Sequence, residues 1–160
     1  MNNYFKETQK FSQWWLWLTL IIILLFPIIG IIQQLIFKIK FGDKPMSDFG
    51  LIIFFLCTLA FIGFFKYIKL ETELNNTGLK MSFVPFVKKD IKWEHIKSIK
   101  IVTYGFVGYG IRIGSSYGTV YNIKGNKGLA IKLKNGKKFL IGTQKTEDLS
   151  RLIKDLPINN

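Results

Sequence analysis

The amino-acid sequence predicts a membrane α-helical hairpin followed by an all-β domain, an antiparallel barrel or sandwich capped by one C-terminal α-helix. Three observations predict this fold class: two long uncharged apolar runs, then short segments of alternating apolar and polar residues, then one amphipathic segment. The first predicted part, residues 1–65, holds an N-terminal tail and two transmembrane helices at about 14–37 and 49–65. The second, residues 66–160, is the β domain with its helix at about 146–156.

The two apolar runs are WWLWLTLIIILLFPIIGIIQQLIF and FGLIIFFLCTLAFIGFF, and neither contains a charged residue. Each is long enough to cross a hydrocarbon core of ~30 Å, which takes roughly 17 to 25 helical residues. A helix on the core of a soluble protein would carry a polar stripe, which these runs lack. Pro27 should kink the first helix rather than end it, because lipid offers no partner for a broken backbone. The first run is too long for the apolar region of a signal peptide, and its three tryptophans mark a membrane interface.

Lysine residues near the two helices set the predicted orientation, because cytoplasmic loops carry an excess of positive charge. Five lysines lie near the membrane on the side of the termini, and three lie between the helices. The first set is Lys6, Lys10, Lys66, Lys69 and Lys80, and the second is Lys38, Lys40 and Lys44. This balance favours a cytoplasmic β domain. The sole cysteine, Cys57, lies within the second helix, so no disulfide braces the β domain.

The first predicted β-hairpin follows the second helix. Between residues 68 and 74 apolar and charged residues alternate, which is typical of a strand with one buried face. Residues 75–78, Asn-Asn-Thr-Gly, form the turn, since Asn and Gly tolerate a positive φ. A return strand with alternating apolar residues covers 79–83, and Pro85 ends it or places it at a sheet edge.

A second hairpin is predicted at residues 129–141, LAIKLKNGKKFLI. A two-residue Asn-Gly loop would put apolar and charged residues on the same face. A three-residue loop at 134–136, with Gly136 in the left-handed position of a G1 bulge, instead aligns the apolar residues of both strands. These are Leu129, Ile131, Leu133, Phe139 and Ile141. We therefore predict the three-residue loop, in which Leu140 points outward without an explanation.

A helix is predicted at the end of the chain. Thr146 can cap its N-terminus, the acidic residues after it suit the positive end of the helix dipole, and Pro157 follows its end. Its apolar residues fall on one stripe, namely Leu149, Leu152, Ile153 and Leu156. A lone amphipathic helix after a run of strands must cover something apolar, so we expect it to cap the open end of the β domain.

Several segments, in this order, resemble bacterial membrane-anchored pleckstrin-homology-like (PH-like) proteins. They are IKWEHIKSI at 91–99, GYGIRI at 108–113, YNIKGNKGLAIKLKNGKKFLIGTQKTEDL at 121–149, and the helix after them. The hydrophobic hairpin also has the same position. The resemblance implies a barrel-like sandwich capped by one helix, a bacterial inner-membrane location and no known enzymatic activity. Proline often precedes the glutamate of the final junction in such proteins, whereas this chain has Thr146 there.

His95, the only histidine, is the obvious candidate for catalysis. The resemblance implies that Trp93 and Ile96 are buried while Glu94 and His95 lie exposed between them. A catalytic histidine also needs a nucleophile and an orienting group. The sequence has no acid cluster, no paired-cysteine metal site and neither of the motifs H-E-x-x-H and G-x-S-x-G. We therefore predict no catalytic residue, no metal site and no cofactor.

Seven glycines fall between residues 105 and 128. The segment GYGIRIG lacks the spacing and the strand–turn–helix context of a dinucleotide-binding fingerprint. Turns, bulges and close approach of strands explain these glycines better. Within this stretch, Arg112 and Asn122 resemble recurrent family positions, and two interpretations stay open: they bind a ligand, or they lock a loop.

Positive charge is the remaining indication of function. Residues 66–160 contain 18 Lys or Arg and 7 Asp or Glu, which leaves +11 of the total +13. Close to an anionic leaflet, each Lys or Arg contributes about 1 kcal/mol. Nucleic acid is a less favoured partner because the terminal helix begins with acidic residues and exposed aromatics are not interleaved with the basic residues. The candidate surface residues are Lys124, Lys127, Lys132, Lys134, Lys137 and Lys138.

These observations favour a non-catalytic membrane-anchored module that binds anionic lipid headgroups or a membrane protein partner. The alternative is an accessory subunit of a membrane complex that uses its transmembrane hairpin for assembly, and an enzyme of unknown type comes third. Solvated lysines on strand exteriors are the plain structural explanation of the same charge.

Overall fold

The computed structural model describes residues 4–105 and 108–154. The chain forms two compact units. A helical unit holds Ser12–Tyr67, and a β unit holds the residues on both sides of it, up to Phe11 and from Ile68 onward.

The helical unit contains α1, Trp14–Ile31, which continues as a π-helical segment at Ile32–Ile36, and α2, Asp48–Tyr67. These stretches of 23 and 20 residues, with mean hydropathy 2.7 and 2.3, are long and apolar enough to cross a membrane. Only 17% and 11% of their most apolar windows is buried, so they are not the core helices of a soluble protein. The predicted helices at 14–37 and 49–65 are confirmed to within two residues at each end. Pro27 lies inside α1 without ending it.

Two features bring the helices of this unit together. A Cβ atom on Gly30 would lie 3.1 Å from the side chains of Leu51 and Phe41, so the glycine permits a close approach at this point. In the connection between the helices, Gln34 Nε2 donates hydrogen bonds of 2.7 Å to the Met46 carbonyl and to Asp48 Oδ1. These bonds close the turn of the hairpin.

The first sheet of the β unit has the strand order β1-β2-β3-β4 and is antiparallel throughout. Its strands are β1 (Phe5–Lys10), β2 (Lys69–Leu74), β3 (Gly78–Val84) and β4 (Val87–Lys92). The predicted first hairpin is confirmed, and β3 ends directly before Pro85. Strand β1 lies in the segment that was predicted to be an N-terminal tail. It pairs with the whole of β2, from Phe5 opposite Leu74 to Lys10 opposite Lys69.

The second sheet has the strand order β5-β8-β9-β7-β6. Its strands are β5 (Ile96–Thr103), β6 (Gly110–Ser115), β7 (Gly118–Asn122), β8 (Lys127–Leu133) and β9 (Lys138–Gly142). The prediction of an entirely antiparallel domain is wrong for β7 and β9, which run parallel. The reason is that the chain after β5 crosses to the opposite edge of the sheet before β6 begins. The described strands form two separate sheets rather than a closed barrel, which decides the predicted alternative in favour of a sandwich.

One hydrophobic core lies between the two sheets and includes residues of α3, Thr146–Lys154. Helix α3 lies beside β5 and β1, which are edge strands of the two sheets, and it buries Leu149 and Ile153. The predicted amphipathic helix is present and packs on the core, but it lies beside sheet edges rather than over the open end of a barrel; Leu156 and Pro157 lie outside the described residues. The predicted N-cap is displaced by one residue. The Leu149 N–H donates to the Lys145 carbonyl at 3.1 Å, so Lys145 holds the N-cap position and Thr146 is the first helical residue.

The β8–β9 hairpin has the predicted three-residue loop. Gly136 has a φ of 84°, and its N–H donates to the Leu133 carbonyl at 3.1 Å. Ile131 lies opposite Phe139, as the bulged register requires. Leu140 does point to the other face of the sheet, but it is fully buried there in a second, smaller apolar cluster with Tyr104 and Val120. The sequence pattern could not show this because the cluster forms between strands distant in sequence.

Candidate membrane-facing surface

The first sheet has one end from which the chain continues into both helices. Strand β1 ends at Lys10, which lies opposite Lys69, and Lys69 also lies opposite Val84 at the end of β3. Helix α1 begins four positions after Lys10, and α2 ends two positions before Lys69. Three residues therefore separate this end from α1, and one residue separates it from α2. We call Lys10, Lys69, Val84 and the β3–β4 turn the helix-connected end.

Two inward side chains of β1 bind this strand to the last residue of β9 and to the two residues after it. The Glu7 carboxylate accepts hydrogen bonds from Thr143 Oγ1 at 2.6 Å and from the Gln144 N–H at 2.7 Å. Gln9 Nε2 donates to the Gly142 carbonyl at 2.7 Å. Glu7 and Gln9 are only 4% and 5% exposed, and a buried carboxylate is costly unless it is hydrogen-bonded. Both Glu7 oxygens are bonded, so this network joins β1 to the second sheet.

Two of the predicted lysines, Lys124 and Lys127, lie in the half of the β unit that this network reaches. They flank the β7–β8 turn, and the turn is held by the segment that bonds to β1. The Thr143 N–H donates to the Lys127 carbonyl at 2.9 Å, and Gln144 Nε2 donates to the Lys124 carbonyl. Both lysine side chains are exposed. The structure therefore places the β7–β8 turn beside the middle of β1, where Glu7 lies three positions before Lys10.

Two other predicted lysines, Lys134 and Lys137, lie away from the helix-connected end. The Lys134 N–H donates to the His95 carbonyl at 2.9 Å. The 3-10 turn Trp93–His95 is in turn tied to the β2–β3 turn, since Trp93 Nε1 donates to the Asn75 carbonyl at 2.8 Å. That turn lies at the far end of β2, about 20 Å from Lys69 at ~3.3 Å per residue.

The last two predicted lysines, Lys132 and Lys138, lie between these groups. They are directly opposite each other on β8 and β9, on the outer face of the second sheet. The six lysines therefore follow the length of the hairpin instead of forming one compact patch. Of these pairs, the one at the β7–β8 turn is held by the segment that bonds to β1.

Asn122 and Arg112 occupy different environments. Asn122 is 1% exposed, and its Nδ2 donates to the Gly125 carbonyl at 3.1 Å and to the Gly108 carbonyl at 3.5 Å. These bonds tie the turn after β7 to the chain before β6, which supports the loop-locking interpretation of Asn122. Arg112 is exposed on the edge strand β6, and its guanidinium lies against Gly108, where a Cβ would come within 2.8 Å of Arg112 Nε.

The connection from β5 to β6 joins the two opposite edges of the second sheet; its residues 106 and 107 lie outside the described part of the chain. Tyr104 begins this connection, and its N–H donates to the Asn126 carbonyl at 2.8 Å. A Cβ on Gly128 would lie 3.1 Å from the Tyr104 ring and 2.7 Å from the Leu140 side chain, so glycine is required beneath the ring. The buried Tyr104 hydroxyl has no hydrogen-bond partner in the described structure. Burial raises the pKa of Tyr104 to about 12.

His95 lies on the protein surface. Trp93 and Ile96 are buried and the two residues between them are exposed, as predicted. His95 Nε2 lies 3.5 Å from Glu94 Oε1, and both side chains are more than 60% exposed. Within residues 4–105 and 108–154, no group of three or more His, Cys, Asp or Glu is arranged to hold a metal ion.

Sequence reasoning missed Glu7, Gln9 and the strand that carries them. The only indication was the alternation around Phe5, and two of the three inward positions of β1 are polar. No protein family model matches the chain, and no curated protein matches it. The observed class is therefore a β unit of two packed sheets with a C-terminal helix, joined to two helices that are long and apolar enough to cross a membrane.

Proposed function

We propose that this protein is a non-catalytic, membrane-anchored PH-like module whose helix-connected end binds anionic lipid headgroups. The pairing of β1 with β2 carries the proposal. The chain enters α1 from one strand and returns from α2 into the neighbouring strand, so the β unit is tethered twice at one end of one sheet. If both helices cross a bilayer, this double tether holds the same end of the β unit at the membrane surface.

Exposed charge at this end, on Lys10, and beside the middle of β1, on Lys124 and Lys127, supports anionic lipid as the ligand. Lys10, Lys124 and Lys127 are exposed, and each lysine close to an anionic leaflet contributes about 1 kcal/mol. Lys69 contributes less, because its ammonium is paired with Glu71 at 2.7 Å. The binding should depend on salt, since exposed charges are screened over ~8 Å at physiological ionic strength.

The proposal includes an orientation in a bacterial inner membrane. Two crossings return the chain to the side on which it started, and the pairing of β1 with β2 is consistent with that topology. The lysine balance favours the cytoplasmic side for the β unit. In a Cys57→Ser background, Asp43→Cys, between the helices, should react with an impermeant maleimide in intact cells. Asn76→Cys, in the exposed β2–β3 turn, should react only after lysis. The opposite pattern would reverse the orientation.

Lipid selectivity tests the proposed ligand. The full chain is reconstituted into neutral bilayers that contain trace spin-labelled lipid, either anionic or neutral, and the immobilised fraction of each lipid is compared. We expect the wild-type protein to retain the anionic lipid preferentially and to lose that preference as salt rises. Lys124→Glu with Lys127→Glu should reduce it, whereas Lys134→Glu with Lys137→Glu, an equal charge change at the far turn, should not. Equal retention of both lipids by the wild-type protein would contradict the proposal and favour the accessory-subunit alternative.

A further inference from the structure

The β3–β4 turn places an aromatic ring at the helix-connected end. Strand β3 ends at Val84, opposite Lys69, and β4 begins at Val87. Between them the Phe86 N–H donates to the Phe83 carbonyl at 2.7 Å, which makes the turn tight. Phe86 is 54% exposed, while Phe83 beneath it is 2% exposed, with the ring centroids 6.1 Å apart. The inner ring belongs to the core, and the outer ring extends past it at the tip of the turn.

The position of this ring is fixed by sheet geometry and by covalent connection. Neighbouring strands lie about 4.8 Å apart, so the β3–β4 turn is one to two strand spacings from the start of β2. The start of β2 is two positions from the end of α2. Phe86 is therefore connected to the end of α2 by one linking residue and the paired ends of two neighbouring strands. The aromatic residues Trp14, Trp15 and Tyr67 at the corresponding ends of the two helices are also exposed, as expected for a membrane interface.

The polar surroundings of the turn suit a lipid surface rather than a dry protein interface. Lys88 follows Phe86 by two positions, and Lys10 and Lys69 lie on the neighbouring strand ends. Lysine stems can lie along apolar surface while their ammonium groups stay in water or among headgroups. An exposed aromatic ring with lysines on the adjoining strand ends is typical of segments that lie in the interfacial layer of a membrane.

We infer that the β3–β4 turn inserts Phe86 into the interfacial layer of the bilayer, as a third attachment beside the two chain connections. This inference rests on the proposed membrane anchoring and adds a specific contact to it. Insertion of one ring next to a double tether would restrict rotation of the β unit and would hold the lysines of this end against the headgroups. The contact is apolar and so does not require anionic lipid.

Tyr4 provides a matched control. It is 55% exposed, and it lies next to the first residue of β1, at the end of the same sheet opposite to Phe86. The experiment places the photoreactive aromatic residue benzoylphenylalanine at position 86 or at position 4 of the full chain, which keeps an aromatic ring at both sites. Each protein is reconstituted into vesicles of neutral lipid, with or without anionic lipid, and lipid adducts are quantified by mass spectrometry after irradiation.

We expect roughly five- to tenfold more lipid adduct at position 86 than at position 4, because burying the exposed half of a phenylalanine ring favours an apolar phase by about that factor. The excess should persist in purely neutral vesicles. Equal yields at the two positions, or no lipid adduct at position 86, would overturn the inference. In native membranes, crosslinking of position 86 to a protein instead of to lipid would also overturn the inference, because it would show that a protein covers the ring.

The two proposals fail in different ways. Loss of the position-86 adduct while the wild-type chain still retains anionic lipid would remove the insertion and leave the proposed lipid binding intact. A strong lipid adduct at position 86 in a chain that shows no preference for anionic lipid would remove the proposed lipid binding and leave the insertion of Phe86 intact. As a second variant, Phe86→Ser should lower the shielding of a spin label at Lys88→Cys from a water-soluble relaxing agent. Unchanged shielding there would count against insertion even if the benzoylphenylalanine protein folds poorly.

Discussion

Glu7, in the strand before the helices, accepts a 2.6 Å hydrogen bond from the hydroxyl of Thr143, 136 positions later in the chain. Its other oxygen accepts the Gln144 N–H. The carboxylate thus joins the first strand of the β unit to the segment that leads into α3. Since hydrogen bonds to charged groups contribute about 1.5 to 3 kcal/mol and buried partners left unpaired are costly, this contact should matter for the stability of the whole β unit.

The first prediction concerns that contact. Glu7→Ala should lower the free energy of unfolding by about 3 kcal/mol, because the buried Thr143 hydroxyl and the partly buried Gln144 N–H lose their acceptor. The measurement is thermal unfolding of the full chain in detergent, together with hydrogen exchange of the β1 amides, which should become faster. Glu94→Ala, the same substitution at a residue whose side chain is 63% exposed, should change stability by less than about 0.5 kcal/mol. Equal effects of the two substitutions would show that the Glu7 contact contributes little.

The second prediction concerns independence of the β unit. Lys10 and Lys69 are paired, and both Phe11 and Ile68 pack against the core. Replacement of residues 12–67 by Asn-Gly should therefore turn β1 and β2 into an ordinary hairpin, since Asn-Gly suits a two-residue loop between antiparallel strands. We expect a soluble protein that unfolds cooperatively and shows near-ultraviolet circular dichroism from its single remaining tryptophan.

A fragment that begins at residue 66 is the control for this design. It lacks β1, so it leaves the edge of β2 unpaired, and exposed strand edges promote aggregation. We expect that fragment to aggregate or to unfold at lower temperature than the Asn-Gly protein. Equal stability of the two proteins would mean that β1 is dispensable.

The sequence predicted those elements whose pattern is local. The β8–β9 register follows from residues within a single hairpin, where only the bulged loop places all the apolar side chains on one face. The burial of Trp93 and Ile96 was instead an expectation from the resemblance to PH-like proteins, and both residues are buried. Helices α1 and α2 were predicted from length and composition, because two uncharged apolar runs of this length have few alternatives.

The features that the sequence did not predict depend on partners far away in the chain. β1 has inward polar residues at Glu7 and Gln9, and their side chains hydrogen-bond to residues 142–144. Leu140 is covered by Tyr104 and Val120, from a connection and a strand that lie outside its hairpin. The lysines looked like one cluster in sequence, but an extended hairpin separates its turn from its base by the length of its strands.

The third prediction concerns Tyr104. Its pKa is raised from 10.0 to about 12 by burial, so between these pH values the unfolded chain loses this proton first and binds fewer protons than the folded one. The stability that the neutral hydroxyl contributes is complete below pH 10 and is lost as the pH rises toward 12. Tyr104→Phe removes this titration. The stability of wild type minus that of the Phe variant should therefore decrease over this window, as measured by denaturant unfolding at each pH.

At neutral pH the same substitution tests the unpartnered hydroxyl. Removing a buried hydroxyl that has no hydrogen-bond partner should leave stability unchanged or raise it by up to about 1 kcal/mol. Tyr4→Phe, at an exposed tyrosine, should leave stability unchanged both at neutral pH and between pH 10 and 12. A loss of more than about 1 kcal/mol in Tyr104→Phe at neutral pH would show that the hydroxyl is hydrogen-bonded in solution.

The last prediction compares two glycines with nearly the same backbone conformation. Gly118 has a φ of 80° and Gly136 a φ of 84°, so an alanine at either position carries the strain of a left-handed residue, about 1 to 2 kcal/mol. They differ in the space around them. No heavy atom lies within 4 Å of a Cβ built on Gly136, whereas a Cβ on Gly118 would overlap the Lys138 carbonyl oxygen and lie 2.8 Å from the carbonyl carbon. That carbonyl belongs to β9, the parallel neighbour of β7.

Gly136→Ala should therefore cost about 1 to 2 kcal/mol, while Gly118→Ala should cost several kcal/mol more, because β7 and β9 must separate to admit the methyl group. Thermal unfolding of the two variants gives the difference in stability. Hydrogen exchange locates it: protection should fall in β7 and β9 of Gly118→Ala and stay at the wild-type level in both strands of Gly136→Ala. Two outcomes would contradict the parallel pairing of β7 with β9. One is equal stability of the two alanine variants, and the other is a Gly118→Ala variant in which β7 and β9 keep their wild-type protection from hydrogen exchange.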